Sequence, residues 1–319
     1  MSSHKTLYQE FCRTNPVPIH LQPWWLDAVC VGGDWDVCLS TDQQGQVLGA
    51  LPYYLTRRWG LRMIQQPPFS SYAGPWLKYP EQEALKPSYR IHFEKKVYSD
   101  LIRQLPGVAL FRQNFRPEVN NWLPFYWNGY RQTTRYTYIL SASDLAHAET
   151  LLQSSTRKKI KQSAALFQVS RENDFDTYFS LLQHSYRRRG LSLPMPYAPM
   201  LALHQTLQQR NSSTLFVARC IQTNQPAAAF YLIHDERNAG LLSSGQVTGP
   251  ETAHLNYRMM WECVTFCAER QLSLDFEGSM DIGMEHVLRS FGAQLTPYYQ
   301  VWKTRNWVLE MALTAMRRY

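Results

Sequence analysis

Asp275 and Glu277 stand two residues apart in Leu274-Asp-Phe-Glu-Gly-Ser-Met-Asp-Ile-Gly283, the densest polar segment of the chain. At a strand end, residues two apart point to the same face. Two carboxylates on one face repel, and one is driven toward neutrality unless a cation lies between them. Arg289, on a short helix expected to follow, is the candidate cation. This set suits amine chemistry: Glu277 or Asp275 takes a proton from an attacking amine, and Arg289 stabilises a developing oxyanion or holds a phosphate. The same residues equally suit a structural ion pair and a Gly-Ser turn, with Ser279 in it, at a strand-to-helix corner.

A second segment, Gln246-Val-Thr-Gly249-Pro-Glu251, precedes a predicted helix with Arg258 one turn inside it. Backbone amides at a helix start bind phosphate. Pro250 removes one such amide, and Glu251 brings negative charge to the place. In the first half, Gln66-Pro-Pro-Phe-Ser-Ser-Tyr-Ala-Gly-Pro-Trp76 is an aromatic loop carrying Tyr72, Gly74 and Trp76. With Tyr53, Tyr54, Arg57 and Arg58 it suits a surface for a sugar, peptide or nucleotide acceptor, or else ordinary sheet packing with a snorkelling Arg pair. The chain has no Gly-x-Ser-x-Gly elbow, no Walker loop and no His-Glu-x-x-His helix. Its six cysteines form no Cys-x-x-Cys pair, so a reduced protein without a metal is expected.

With 319 residues the chain is long enough for two domains. Aromatic residues make up 13%, too many for a disordered chain. No window approaches the roughly 20 apolar residues of a membrane-spanning helix. The N-terminus turns polar at once, so no secretory signal is expected and a cytoplasmic location follows. Lys and Arg number 33 against 25 Asp and Glu, and this +8 favours anionic partners. The densest basic runs are Arg157-Lys-Lys-Ile-Lys161 and Arg187-Arg-Arg189. Either is an ordinary solvated helix face, and the first also suits nucleic-acid binding, which would weaken steeply with salt.

The elements that must position these residues are clearest in the second half. A long helix from Asp144 to about Phe167 leads to a strand at 168–171. Asp174 caps a helix to Arg189, and Gly190 stops it. A helix at 196–210, strands at 214–220, 227–234 and 239–245, and a helix at 253–270 follow. Then come a strand at 272–276, a helix at 282–290 and a strand at 298–303. In the first half, helices fill residues 1–30, strands lie at 35–39 and 47–55, and residues 65–90 form a loop. A helix near 91–105 and strands near 108–112 and 134–140 complete it.

Written out, the second half reads β-α-α-β-β-β-α-β-α-β, the element order of the GNAT, or acyl-CoA N-acyltransferase, fold. The first half is a looser version of it. Gly129 precedes Thr133 and Tyr136 at the same offsets at which Gly292 precedes Thr296 and Tyr299. The reading is therefore α/β with tandem GNAT-like domains, 1–143 and 144–319, each a mixed sheet flanked by helices.

Leu274-Asp-Phe-Glu-Gly-Ser-Met280 with Leu288-Arg-Ser-Phe-Gly-Ala293 resembles the signature of the Fem-like branch of GNAT proteins, which includes the peptidoglycan bridge aminoacyl transferases. Arg157–Lys161 and Ser70–Pro75 are also similar to that group. The resemblance implies transfer of an acyl or aminoacyl group to an amine, without a metal. The donor would be acyl-CoA or aminoacyl-tRNA. The acceptor would be a cell-wall precursor, an amino sugar or a small-molecule amine. It places Glu277, Asp275 and Arg289 in the chemistry, Gln246, Gly249 and Arg258 on the donor, and Tyr72, Gly74, Trp76 and Ser279 on the acceptor. Where bridge-forming enzymes carry an aromatic residue followed by Lys, this chain has Leu288-Arg289. Acyl-CoA enzymes carry Gln/Arg-x-x-Gly-x-Gly/Ala where this chain ends in Pro250-Glu251. That departure motivates a second reading, a non-catalytic GNAT scaffold that binds a partner.

Overall fold

The computed structural model describes residues 3–58, 60–80, 86–277, 282–305 and 311. In chain order the elements are α1 (Ser3–Thr14), α2 (Pro23–Val29), β1 (Asp34–Thr41), β2 (Val47–Arg58), β3 (Leu61–Gln65), β4 (Trp76–Leu77), α3 (Pro87–Gln104), β5 (Leu110–Asn114), α4 (Leu123–Trp127) and β6 (Arg131–Leu140). They continue with α5 (Ala142–Leu145), α6 (Ala148–Leu151), α7 (Ser154–Ala164), β7 (Phe167–Glu172), α8 (Phe175–Arg188), α9 (Tyr197–Gln209), β8 (Ser213–Cys220), β9 (Pro226–His234) and β10 (Asn238–Gln246). The last are α10 (Leu255–Arg270), β11 (Ser273–Asp275), α11 (Ile282–Arg289) and β12 (Gln294–Thr304). The chain divides into two compact units, Met1–Arg135 with Pro297–Tyr319, and Tyr136–Thr296.

In the first unit the strands run β1-β2-β3-β5-β12, with β4 beside β2. The β1–β2 hairpin turns on Asp42, whose Oδ1 accepts from the amides of Gln44 (2.9 Å) and Gln46 (2.8 Å). Strand β3 was not expected: its outer residues Leu61 and Arg62 are exposed, so it has no apolar alternation to announce it. It is held instead by five antiparallel pairs with β2, from Tyr54–Gln65 to Arg58–Leu61. α3 lays Phe93, Val97 and Leu101 on a core with Leu51, Phe111, Phe115 and Phe125. Each such buried side chain contributes on the order of 2 kcal/mol.

His20 is buried in this unit beside Trp25, with ring centroids 5.0 Å apart. Burial, with a smaller push from Arg116, lowers its pKa to about 3. Because the folded value lies below the ordinary 6.5, the unfolded chain binds a proton that the folded one refuses. His20 therefore contributes no penalty above pH 6.5, and stability falls as pH drops toward 3. We expect this residue to add a slope on the order of 1.4 kcal/mol per pH unit within that window. Urea midpoints at pH 7 and pH 5 for the wild type and His20→Gln test it; an equal acid loss in both would refute the assignment.

The second unit has the strand order β6-β11-β10-β9-β8-β7, all antiparallel neighbours except β10–β11, which are parallel. The long helix expected from Asp144 to Phe167 is three helices. Ser141, not Asp144, is the cap: its hydroxyl accepts from the Asp144 amide while the Asp144 carboxylate takes the Ser141 amide, a reciprocal capping box. Leu152 and Gln153 are then extended, separating α6 from α7 and burying Leu152. The cap at Asp174 is as expected, accepting from the Thr177 amide at 3.0 Å. Arg219 ties this helix start to the sheet through Glu172 (2.8 Å) and Asp174 (3.3 Å).

α10 buries two adjoining stripes, Met259-Cys263-Phe266 and Met260-Val264-Cys267, against Phe216, Phe230, Leu232 and Leu274. On the other side, α8 lies directly on β10. A β-carbon at Gly245 would sit 2.6 Å from the Leu181 carbonyl oxygen, so only glycine admits this contact. Two residues earlier the Tyr178 hydroxyl meets Ser243 Oγ at 2.5 Å, and burial raises the Tyr178 pKa so that it stays protonated.

Candidate functional site

β10 and β11 pair over three residues only, Asn238–Ser273, Ala239–Leu274 and Gly240–Asp275. β10 continues to Gln246 with β9 as its partner, after a register shift between Leu241 and Ser243. Among the described residues no strand takes its other edge from Leu241 onward, so the sheet opens where β11 ends. Parted strands expose backbone donors and acceptors without side-chain bulk, which is a place for a ligand to lie.

Glu277 lies two residues beyond Asp275, the last residue of β11. The strand stops there, and Glu277 takes a left-handed conformation, φ 55°. Asp275 Oδ1 accepts from the Thr137 hydroxyl at 2.5 Å and from the Glu277 amide at 2.7 Å. A carboxylate tying down the next turn in this way offsets the cost of a left-handed non-glycine residue. Glu277 in turn lays its side chain over Gly240. A β-carbon at Gly240 would come within 2.9 Å of Glu277 Cδ and 3.2 Å of its Cγ. Gly240, Asp275 and Glu277 thus meet where the two strands part.

Arg289 is exposed at the end of α11, and its carboxylate partner is Glu285, one turn back (Nε–Oε1 2.9 Å). The Tyr138 hydroxyl donates to the same oxygen at 2.9 Å. These two donors hold the Glu285 carboxyl below its usual range, the Tyr138 bond first. The expected cation between Asp275 and Glu277 is therefore anchored on a third carboxylate. Ser279 lies outside the described residues.

The donor segment is braced from within. Gln246 Nε2 donates to the Thr252 carbonyl at 2.8 Å, and its amide donates to Ser185 Oγ at 2.9 Å. The amides of Thr252, Ala253 and Leu255 turn back onto Gly249, Pro250 and Thr252 at 3.1, 3.4 and 3.1 Å. Those three donors are committed to the loop. Gly249 has open space around its Cα, so its position admits a side chain. Arg258 pairs with Glu262 at 2.5 Å, and its buried Nε has no hydrogen-bond partner. From α8, Arg188 reaches Thr248 Oγ1 at 2.6 Å.

In the first unit, Gly74 has φ 89°, and a β-carbon there would come within 2.9 Å of the Phe115 ring. Tyr72 is buried, edge-on to Tyr298 with centroids 5.3 Å apart. Trp76 opens β4 and stands edge-on to Phe11 at 5.3 Å. The Trp25 indole donates to Ser70 Oγ at 2.8 Å, and Gln66 donates to the Ser70 carbonyl at 2.8 Å. The loop is fixed by these contacts.

Sequence reading did not single out Gly240, Thr137, Tyr138 or Glu285. A glycine inside a strand is a signal of close approach, and Glu285 to Arg289 is an i, i+4 pair of opposite charge. Both were legible. Nothing local announces Thr137, which reaches Asp275 across 138 positions of sequence.

Residues 153–281 match the model of the acetyltransferase (GNAT) domain. No curated protein matches the sequence. Among solved structures, the fold is similar to FemX (11% identity, TM-score 0.62, covering 94% of this chain and 96% of that one). It is similar to the C-terminal domain of a putative lysylphosphatidylglycerol synthetase from Agrobacterium fabrum (11% identity, TM-score 0.57, covering 90% and 89%). A tandem GNAT protein from the clavulanic acid biosynthesis pathway is also similar (10% identity, TM-score 0.50, covering 93% and 92%). Residues 153–281 thus carry a GNAT-type domain, and the chain as a whole has a tandem GNAT fold similar to that of FemX.

Proposed function

We propose that the chain moves an acyl or aminoacyl group from a CoA thioester or an aminoacyl-tRNA to an amine, using the C-terminal GNAT-like half, residues 144–319. The observation that carries this reading is the parting of β10 and β11 beside Glu277. The amine attacks the donor carbonyl directly. Its nitrogen forms the new C–N bond as its proton passes to the Glu277 carboxylate, and as the C–S or C–O bond breaks that proton passes on to the leaving thiolate or tRNA ribose oxygen. Asp275 holds Glu277 in place. Arg289 and the exposed edge of β10 stabilise the oxyanion. Gln246, Gly249 and Arg258 are assigned to the donor side. Tyr72, Gly74 and Trp76, with Ser279, are assigned to recognition of the acceptor, a cell-wall precursor, an amino sugar or a small-molecule amine.

Because Arg289 is exposed and shared with Glu285, solvent screens part of its effect. Arg289→Ala is expected to lower turnover of the identified donor roughly tenfold; unchanged turnover removes its role. Binding tests the reading as a whole. A donor at 100 times its Kd raises stability by about 2.7 kcal/mol, which a thermal melt detects. The self-braced loop with Pro250 and Glu251 favours a second reading, a non-catalytic scaffold. Stabilisation by neither CoA thioesters nor aminoacyl-tRNA supports that one.

A further inference from the structure

The first unit holds a cavity of about 650 Å³ away from the residues discussed above. Its cations come from opposite ends of the sequence: Arg103 from the last turn of α3, and Lys303 and Arg305 from the end of β12. Lys303 lies near the end of β12 and Arg305 just past it, and both line the cavity. The wall behind them is apolar, with half-buried Ile102, Leu105 and Val108 over buried Phe111 and Tyr130. Among the described residues no carboxylate lines the cavity, and Asp100 meets Arg103 from outside it.

The charges are only partly answered. Lys303 Nζ donates to the Asn128 carbonyl at 2.7 Å and lies 5.0 Å over the Tyr130 ring, which leaves an ammonium proton for a further acceptor. Arg103 gives one nitrogen to Asp100 at 2.7 Å and is otherwise exposed. The Arg305 amide is tied to the Ala109 carbonyl at 2.9 Å, which fixes the start of its side chain at the rim. Among the described residues the Arg305 guanidinium has no carboxylate partner. Three cations converging on a cleft with one carboxylate among them repel one another and attract an anion.

We propose that this cavity binds a phosphorylated small molecule, with its phosphate on Lys303, Arg305 and Arg103 and its organic part along Ile102, Leu105 and Val108. The volume suits a ligand of ordinary metabolite size. Guanidinium and ammonium groups together favour phosphate, since the first offers a planar fork and the second a compact charge. The site needs no acyl donor, so it stands or falls independently of the transfer reaction.

Titration calorimetry of the full chain with phenyl phosphate and with inorganic phosphate tests the proposal. Both are expected to bind, the ester more tightly because inorganic phosphate leaves the apolar wall bare, and both more weakly as salt rises. Arg305→Ala, at an exposed position, is expected to weaken phenyl phosphate about tenfold. Lys303→Met is expected to do the same. Absence of binding by both ligands overturns the proposal. Equal affinity for the two overturns the assigned place of the organic part, and binding unchanged in Arg305→Ala places the phosphate elsewhere and overturns the site.

Discussion

Gly240→Ala is expected to lower transfer as severely as Glu277→Gln, on the order of a hundredfold to ten-thousandfold, the range that a lost general base costs. The reason is spatial. A β-carbon at residue 240 falls on the Glu277 side chain, 2.9 Å from its Cδ. That side chain is flexible and half-buried, so it gives way and the fold persists. What is lost is the position of the carboxylate beside the open edge of β10. The double variant is expected to be no worse than either single one, because both remove the same group. Melting temperatures within a few degrees of wild type, beside a collapsed rate, distinguish displacement of Glu277 from unfolding. A fully active Gly240→Ala protein would contradict the placement of the base.

Gly245→Ala is expected to act on stability instead. Here the added β-carbon meets backbone, the Leu181 carbonyl oxygen at 2.6 Å, and a helix backbone cannot step aside as a side chain does. α8 must lift from β10, stretching the Tyr178–Ser243 hydrogen bond and the Ser185 contacts with Gln246. Overpacking of this kind costs about 3 kcal/mol. Urea unfolding followed by circular dichroism measures it, and a midpoint equal to wild type would contradict the close contact. Two glycines five residues apart on one strand thus predict opposite outcomes, loss of rate at one and loss of stability at the other.

The second half of the fold was legible because its elements carry strong periodic signals. α10 buries two adjoining stripes, and β8 and β9 carry long apolar runs between polar turns. The break of the 144–167 region into three helices was hidden because the chain turns extended at Leu152 and Gln153 in a stretch with no Gly or Pro to mark it. β3 was hidden because sheet pairing, not side-chain alternation, makes it a strand. At the candidate site, the polar segment named Asp275, Glu277 and Arg289, but periodicity could not show that β11 stops at Asp275 or that Glu277 is left-handed and lies over Gly240. Arg289 was read as a bridge between carboxylates, while its nearest partner is one helical turn away.

The central claim is acyl transfer at the parting of β10 and β11. Its most direct test incubates the full chain with labelled acetyl-CoA or labelled aminoacyl-tRNA and a set of amine acceptors, with products resolved by mass spectrometry. The account predicts an N-acylated or N-aminoacylated product from one of the two donors, formed by wild type and lost in Glu277→Gln. Product formed equally by wild type and Glu277→Gln, or no product from either donor, would contradict it.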